Sequence, residues 1–267
     1  PTDGATDPVA AADLVRGRSF SASMDIWQRR VRAELTPNAK QQEFVDVLAE
    51  QVRREQGDLA AGVPGRTAPC RMFLTGAAGT GKSFITKAAR MLFDELGWSQ
   101  GQEYQFTAYQ ATTANQADGQ TLHYAFGVPV NCRSACMQID PTECRWVFID
   151  EISMVNAELL GRCERNARTL SPKSNLYRYD PETKDERLWA GMNVVFIGDF
   201  VQLRPRGSSL ATIPSRLRRR TIPSQAELPA QLALELVWGD DDLKLLELTE
   251  QIRVTDEGYH EVLTQWR

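Results

Sequence analysis

A glycine-rich turn, placed between an apolar run and a helical pattern, restricts the fold of this chain more than any other feature. Residues 72–74 are apolar and lead into residues 76–83, which read Gly-Ala-Ala-Gly-Thr-Gly-Lys-Ser and fit the pattern G-x-x-x-x-G-K-S. Apolar residues then recur at helical spacing in residues 84–93. Backbone N–H groups of such a turn converge on an anion, and the following helix adds its positive dipole end. A purely structural glycine turn is the alternative, which the complete pattern and its flanks disfavour.

This turn predicts a binding site for ATP and Mg²⁺. Lys82 can reach the β- and γ-phosphates, and the Ser83 hydroxyl can ligate the metal ion. The remaining residues of the phosphate loop are expected to surround the phosphates with their backbone: Gly76, Ala77, Ala78, Gly79, Thr80 and Gly81.

The composition narrows the class of protein. The 267 residues suffice for one large domain or two small ones. A net charge of −4 excludes a nucleic-acid-binding protein that is basic over its whole surface, but not a local basic groove. Five cysteines, an odd number, indicate reduced thiols inside a cell, and no apolar run is long enough to span a membrane. Because the chain starts at Pro1 rather than Met and stops at Arg267 within a helical pattern, we expect a fragment of a longer protein.

Strands and helices alternate along the chain. Beyond residues 72–74, apolar runs predict strands at 104–108, 145–151, 193–199 and 243–248. Helices are predicted at 21–33, after a Thr36 cap with Pro37 in the first position, from the phosphate loop to Gly97, at 112–117, and from an Asn156 cap to about Arg168. Loops are predicted at 57–69, 170–188 and 204–229. This order predicts an α/β fold with a mainly parallel sheet and helices on both faces.

Two further strand ends carry polar side chains. Asp150 and Glu151 follow four apolar residues, where Asp150 would hold Mg²⁺ opposite Ser83 and Glu151 would polarise the attacking water. An acidic pair after a strand is weak evidence by itself, but it becomes strong together with the phosphate loop upstream. Because a P-loop kinase would not need the second acid, Glu151 favours hydrolysis of ATP. Gln202 follows another strand and could bond the γ-phosphate, with a loop amide of no function as the alternative.

The ordered motifs resemble those of PIF-family DNA helicases, which are RecD-like enzymes of superfamily one. The resemblance covers residues 35–267 and rests on five segments: 76–83, 107–123 ending Gly-Gln-Thr-Leu-His, 149–154 reading Ile-Asp-Glu-Ile-Ser-Met, 198–203 reading Gly-Asp-Phe-Val-Gln-Leu, and 248–253 reading Leu-Thr-Glu-Gln-Ile-Arg. It implies a RecA-like P-loop NTPase domain and ATP-driven 5′-to-3′ unwinding of DNA, in recombination, repair and telomere maintenance. It also implies a nuclear or mitochondrial location.

The resemblance also implies roles for single residues. Gln41 would contact adenine, with Gln42 as the neighbouring ambiguity, and Gln202 would sense the γ-phosphate. Arg253 resembles the arginine that stabilises the transferring phosphoryl group across the cleft between two motor domains. The Pro, Gly, Asp and Ala content at the start of residues 1–34 predicts an extension that is partly disordered. By the resemblance, residues 35–250 are the first motor domain, and residues 251–267 begin the connection to a second RecA-like domain.

Contacts with single-stranded DNA and the duplex junction are implied for Thr107, Thr121 and His123, although Gln110 and Ala111 depart from the family pattern. A structural role for His123 is the alternative. Three aromatic residues could stack on bases but are more often core residues: Tyr109, Tyr124 and Phe126. Arginines of the 204–229 loop could line the DNA path or be solvated: Arg204, Arg206, Arg216, Arg218, Arg219 and Arg220.

Other functions stay open on the sequence alone. A nucleotide-dependent switch or kinase would use neither Gln202 nor Arg253, and a degenerate binding module would have lost catalysis. The intact Lys82 and Glu151 argue against the second of these. A zinc site among Cys132, Cys136 and Cys144 lacks a fourth ligand and a C-x-x-C spacing.

Overall fold

A computed structural model describes residues 19–129, 136–202, 205, 209–210, 228–238 and 242–252 of the protein. Its helices are α1 Phe20–Arg30, α2 Ala39–Ala60, α3 Lys82–Leu96, α4 Ala111–Gln116, α5 Leu122–Ala125, α6 Ala157–Leu170 and α7 Leu228–Trp238. Its strands are β1 Arg71–Gly76, β2 Tyr104–Ala108, β3 Gln120–Thr121, β4 Trp146–Asp150, β5 Asn193–Gly198 and β6 Lys244–Leu248. Short turns of π-helix (Val31–Leu35) and 3₁₀-helix (Ile152–Met154 and Leu188–Gly191) complete the described elements.

The six strands form one parallel sheet in the order β3-β2-β4-β5-β1-β6. This confirms the predicted α/β fold. The strand that precedes the phosphate loop, β1, lies between β5 and β6, and β4 pairs with β5 on its other side. Because parallel strands end at the same edge, the loops that follow β1, β4 and β5 meet there. The three predicted phosphate-site segments are therefore neighbours in space.

Helices pack on both faces of the sheet, as a buried parallel sheet requires. Strand β4 shows why: Trp146 and Phe148 enter one hydrophobic cluster with α1, α2 and α3, whereas Val147 and Ile149 enter another with α5 and α6. Successive side chains of a strand point to opposite faces, so an unbroken apolar strand feeds two cores.

The first helix belongs to one of these cores. Trp27 is fully buried, and its indole Nε1 donates a hydrogen bond of 2.9 Å to the Ala88 carbonyl oxygen on α3. Arg30 makes an ion pair of 2.8 Å with Glu95, which lies on the same helix α3. Residues 20–34, predicted as part of a partly disordered extension, are therefore packed against the helix that follows the phosphate loop. Residues 1–18 lie outside the described residues.

Three predicted boundaries, two of α2 and one of α7, differ clearly from the structure. The N-cap of α2 is Asn38, which accepts a hydrogen bond from the Gln41 N–H at 2.9 Å, whereas Thr36 is in the left-handed region at φ 44°. Helix α2 also runs into the predicted 57–69 loop as far as Ala60. Helix α7 begins at Leu228, within the predicted basic loop. The prediction was wrong here because it took Pro229 as a loop residue, although proline is well tolerated in a first helical turn.

A buried polar network ties the opposite edge of the sheet, where the strands begin. The Asn193 side chain accepts from the Cys70 N–H at 2.6 Å and donates to Glu55 at 2.8 Å. Glu55 in turn pairs with Arg145 at 3.2 Å. This network joins α2 to the residues that precede or open β1, β4 and β5. Among the described residues, no helix has the length and apolar character needed to cross a membrane.

Candidate nucleotide-binding site

The phosphate loop has the backbone shape that its glycines predict. Gly81 has φ 90° and forms the N-cap of α3. A Cβ atom at this position would meet the Gln41 amide nitrogen and would lie 2.9 Å from Ile252 Cδ1. Both the left-handed backbone and the close neighbours therefore require glycine here.

Lys82 lies across the loop that it would serve. Its Nζ donates hydrogen bonds to the carbonyl oxygens of Gly76 at 2.8 Å and Ala77 at 3.1 Å. The Thr80 hydroxyl also donates to the Ala77 oxygen, at 2.9 Å. The ammonium group is thereby held beside the loop, within reach of phosphates bound by the backbone.

The acidic pair lies at the end of β4. Burial raises the pKa of Asp150, and the charge of Glu151 raises it further, while a hydrogen bond of 2.8 Å from the Glu151 N–H and the Lys82 cation oppose the rise. Glu151 has the left-handed backbone angle φ 52°, which is uncommon for a residue with a side chain. Such strain is often found where a side chain must point into a functional site.

Gln202 lies after β5, where an Asp199 turn holds it. Its N–H donates to the Asp199 carbonyl oxygen at 3.1 Å and its amide nitrogen to the Asp199 carboxylate at 3.4 Å. Phosphate loop, acidic pair and glutamine line one cleft of about 730 Å³, whose full lining is Ala78, Gly79, Gly81, Lys82, Ser83, Thr86, Lys87, Arg90, Thr113, Gln116, Ala117, Asp150, Glu151, Gln202 and Ile252. The structure thus brings together Lys82, Ser83, Asp150, Glu151 and Gln202.

Gln41 lies behind the phosphate loop and is only 2% exposed. Its side-chain oxygen Oε1 accepts from the Asn38 N–H at 3.1 Å, and its side-chain nitrogen Nε2 has no hydrogen-bond partner among the described residues. A buried donor without a partner suits a ligand that supplies an acceptor. Gln42 instead donates to Asp46 at 2.8 Å and lines a separate surface groove along α2. This geometry favours Gln41 over Gln42 as the residue next to the nucleotide.

The three residues implied for DNA contact differ in accessibility. Thr107 is 2% exposed and donates from its hydroxyl to the Phe148 carbonyl oxygen at 2.9 Å, which argues against direct contact with DNA. Thr121 is half-buried and caps α5. His123 is half-buried too, with its ring 6.0 Å from that of Tyr109, and burial lowers its pKa.

The aromatic residues divide between surface and core. Phe126 is fully buried in the cluster around α6, so the expectation of a core residue is met there. Tyr109 is half-buried against the same cluster. Tyr124 is 56% exposed and is the member of the set that remains available for stacking on a base.

Residues 251–252 contact the phosphate loop, a contact that the sequence analysis did not predict. The Gln251 side chain donates to the Ala78 carbonyl oxygen at 2.8 Å, and the Ile252 N–H donates to the Gly79 oxygen at 2.9 Å. Their position beside Arg253 in the last motif was the available signal. Arg253 itself lies outside the described residues.

Other predicted features also fall outside the described residues: Cys132, Arg204, Arg206, Arg216, Arg218, Arg219 and Arg220. Cys136 is exposed and Cys144 is buried, and burial raises the pKa of the Cys144 thiol to about 12. In the part of the chain that the structure describes, no group of three or more His, Cys, Asp or Glu side chains could hold a metal ion.

Comparison with known proteins finds one family. The family model described as PIF1-like helicase matches residues 38–262. The ATP-dependent DNA helicase PIF1 of Danio rerio is 27% identical over 237 residues, which are 84% of this chain and 33% of that protein. PIF3 of Trypanosoma brucei, also named an ATP-dependent DNA helicase, is 31% identical over 142 residues, 49% of this chain and 15% of that protein.

Solved structures agree on the fold. Unliganded Pif1 from Bacteroides has a TM-score of 0.50 at 21% identity, and the match covers 84% of this chain and 45% of that one. Bacteroides Pif1 in complex with ADP-AlF4 has a TM-score of 0.52 at 22% identity, covering 86% of this chain and 46% of that one. The chain therefore spans a third or less of these two curated relatives and under half of the structural ones.

Proposed function

The chain belongs to the PIF1-like helicase family, and from this membership we propose that it supplies the first motor domain of an ATP-dependent DNA helicase. The observation that carries the proposal is the cleft itself. A phosphate loop with its lysine, an acidic pair and a glutamine, contributed by three strand ends, line the same cavity. A mere binding module would need the loop but not the other groups.

Each side chain of the cleft has a task in ATP hydrolysis. Loop N–H groups and the start of α3 bind the phosphate oxygens, and Lys82 exchanges its carbonyl partners for them. Glu151 accepts the proton of the attacking water, and its left-handed backbone directs the carboxylate there. Gln202, held by Asp199, donates to the γ-phosphate and changes partner when that group leaves.

The residues present fit a magnesium ion. Ser83 and Asp150 line the same cleft and offer a hydroxyl and a carboxylate oxygen, which are the ligands that Mg²⁺ prefers. Burial raises the pKa of Asp150, so its ionised form gains from a nearby cation. When bound, the ion would neutralise charge on the β- and γ-phosphate oxygens.

The remaining assignments extend the proposal beyond the cleft. The free amide nitrogen of Gln41 would bind an acceptor on the adenine ring. Arg253 would stabilise the phosphoryl group, with a second RecA-like domain forming the other wall of the cleft. Thr121 and His123 would contact a DNA single strand near the duplex junction, with 5′-to-3′ movement and a nuclear or mitochondrial role in genome maintenance.

Replacing Lys82 tests the proposal. In the full-length protein, Lys82→Ala should reduce DNA-stimulated ATP hydrolysis by about 10²-fold or more, because the ammonium group that stabilises the negative charge of the transferring phosphate is lost. The matched control is Lys173→Ala, which removes an exposed lysine outside the cleft and should leave the rate unchanged. ATPase activity retained in Lys82→Ala would refute the site.

Strand displacement tests the rest. Forked duplexes with a tail of either polarity should be unwound only from the 5′ tail. Unwinding only from a 3′ tail would contradict the direction proposed. ATP hydrolysis without any stimulation by DNA would favour a nucleotide-dependent switch instead.

A further inference from the structure

The nucleotide cleft continues past the acidic pair into a groove between α3 and α4. Its far walls are Thr86, Lys87 and Arg90 on one side and Thr113, Gln116 and Ala117 on the other. Hydrolysis as proposed above does not use these residues. The groove opens directly from the position of Ser83, Asp150 and Glu151, since all of them line one continuous cavity.

One face of α3 carries the positive charge of this groove. Ser83, Lys87 and Arg90 are spaced by four and three residues, so they lie one above another along the helix. Lys87 is exposed, and within the described residues it has neither a hydrogen bond nor an ion pair. Its ammonium group is therefore free to bind an anion that enters the groove.

Arg90 forms a fixed positive wall beyond Lys87. Its guanidinium donates to the Asp118 carboxylate at 2.9 Å and to the Ala117 carbonyl oxygen, and it lies 5.1 Å from the centre of the Phe106 ring. The Asp118 side chain is 80% exposed, so this pair is well solvated and cancels the charge of Arg90 only in part.

The charges that line the cavity differ between the phosphate loop and the groove. Beside the phosphate loop, the Lys82 cation interacts with the Asp150 carboxylate, whereas the groove has Lys87 and Arg90 and no carboxylate among its described lining residues. An anion with two negative charges that leaves the phosphate loop is attracted toward the two cations of the groove. The hydroxyl of Thr113 and the amide of Gln116 offer hydrogen bonds on the way.

We propose that the groove between α3 and α4 is the exit route of orthophosphate after ATP hydrolysis, and that Lys87 binds the ion in transit. This inference rests on the proposed function, because hydrolysis must supply the ion. Release toward the groove leaves the diphosphate on the loop, so the two products would depart by different routes.

The test compares cleavage with release in the full-length protein during a single turnover on single-stranded DNA. Rapid quenching measures cleavage of ATP, and a fluorescent phosphate-binding protein measures free orthophosphate. Lys87→Gln should slow release about fivefold with cleavage unchanged, because one solvated charge contact is lost. Lys87→Arg should restore release, and the exposed Lys173→Gln should match the wild type.

The outcomes separate the possibilities. Release that keeps pace with cleavage in Lys87→Gln overturns the exit route while leaving hydrolysis intact. Weaker binding of single-stranded DNA by Lys87→Gln with unchanged release would also overturn it, and would assign the groove to a DNA phosphate. Absence of cleavage in the wild type would instead refute the proposed function on which the inference rests.

Discussion

At the residue scale, Gln41 combines a structural and a proposed binding role in one amide. Its oxygen completes the capping box of α2, and its nitrogen lies unpaired beside Gly81. Gln41→Glu keeps an acceptor for the Asn38 N–H but removes the donor. ATP affinity should fall about tenfold or more, because a buried donor is replaced by a carboxylate near phosphates. Equilibrium titration with a fluorescent ATP analogue measures this.

The neighbouring glutamine provides the control for that substitution. Gln42→Glu places the same change on the other side of α2, where the side chain contacts Asp46. ATP affinity should be unchanged there. Equal losses in both variants would mean that general charge repulsion, not the Gln41 donor, explains the effect.

A second prediction concerns the pH dependence of stability through His123. Burial lowers the pKa of His123 below its ordinary value of 6.5. The unfolded chain therefore binds a proton first as the pH falls, so the folded state loses stability from about pH 6.5 down to the lowered pKa. His123→Gln should lose less over this range, which urea unfolding at pH 8 to pH 5 measures.

The chain has one further histidine besides His123. His260 is present in both proteins, so its effect cancels in the difference. Parallel pH profiles for the two proteins would mean that His123 is as easily protonated in the folded state as in the unfolded chain.

The candidate site residues and their neighbours differ in how well the sequence predicts them. Lys82 and Asp150 could be placed because a motif fixes their position relative to a strand end, and parallel strands end together. Thr107 could not, because whether a strand-end hydroxyl faces solvent or a neighbouring strand depends on the Phe148 carbonyl of β4. Gln251 was missed because its contact with Ala78 joins residues that are 173 positions apart.

At the scale of elements, α1 should contribute strongly to stability. Trp27→Ala removes a fully buried indole and its bond to the Ala88 oxygen, so the free energy of unfolding should fall by about 3–5 kcal/mol. Trp27→Phe keeps most of the volume and loses the hydrogen bond, for a loss of about 1–2 kcal/mol. Denaturant unfolding followed by circular dichroism measures both.

The exposed Asp25 on the same helix is the matched control, and Asp25→Ala should change the stability by less than about 0.5 kcal/mol. If Trp27→Ala were no more destabilising than Asp25→Ala, α1 would not be part of the folded core.

The elements themselves were predicted best where a single physical signal dominates. Strand β2 was predicted at its observed bounds, and Gly97 does cap α3 with φ 74°. The start of α2 was placed at Thr36 because Pro37 favours a first helical position, whereas Asn38 offers the stronger cap together with Gln41. The burial of α1 could not be predicted, because it depends on the Trp27 partner on α3.

At the scale of the whole molecule, the cores on the two faces of the sheet predict that this chain folds without further residues. Each cluster holds many fully buried side chains from several helices and strands. ATP hydrolysis by the isolated chain should nevertheless be about 10²-fold slower than by the full-length protein, because the proposed second wall positions the reactants. Thermal unfolding and steady-state ATPase assays on both proteins test the two halves of this prediction.

A control is available for the slow reaction. Lys82→Ala in the isolated chain should abolish what activity remains, which excludes a contaminating ATPase. Equal rates in the isolated chain and the full-length protein would contradict the proposed second wall.

The contact between residues 251–252 and the phosphate loop couples any movement of the loop to the chain after β6. Two hydrogen bonds to consecutive loop carbonyls join them. The Gln251 side chain bonds to Ala78, and the Ile252 backbone N–H bonds to Gly79. Displacement of the loop by a ligand would pull directly on the backbone that leads to Arg253. The exchange rate of the Ile252 amide proton with solvent therefore reports on movement of the phosphate loop, because the proton is protected only while the Gly79 carbonyl stays in place.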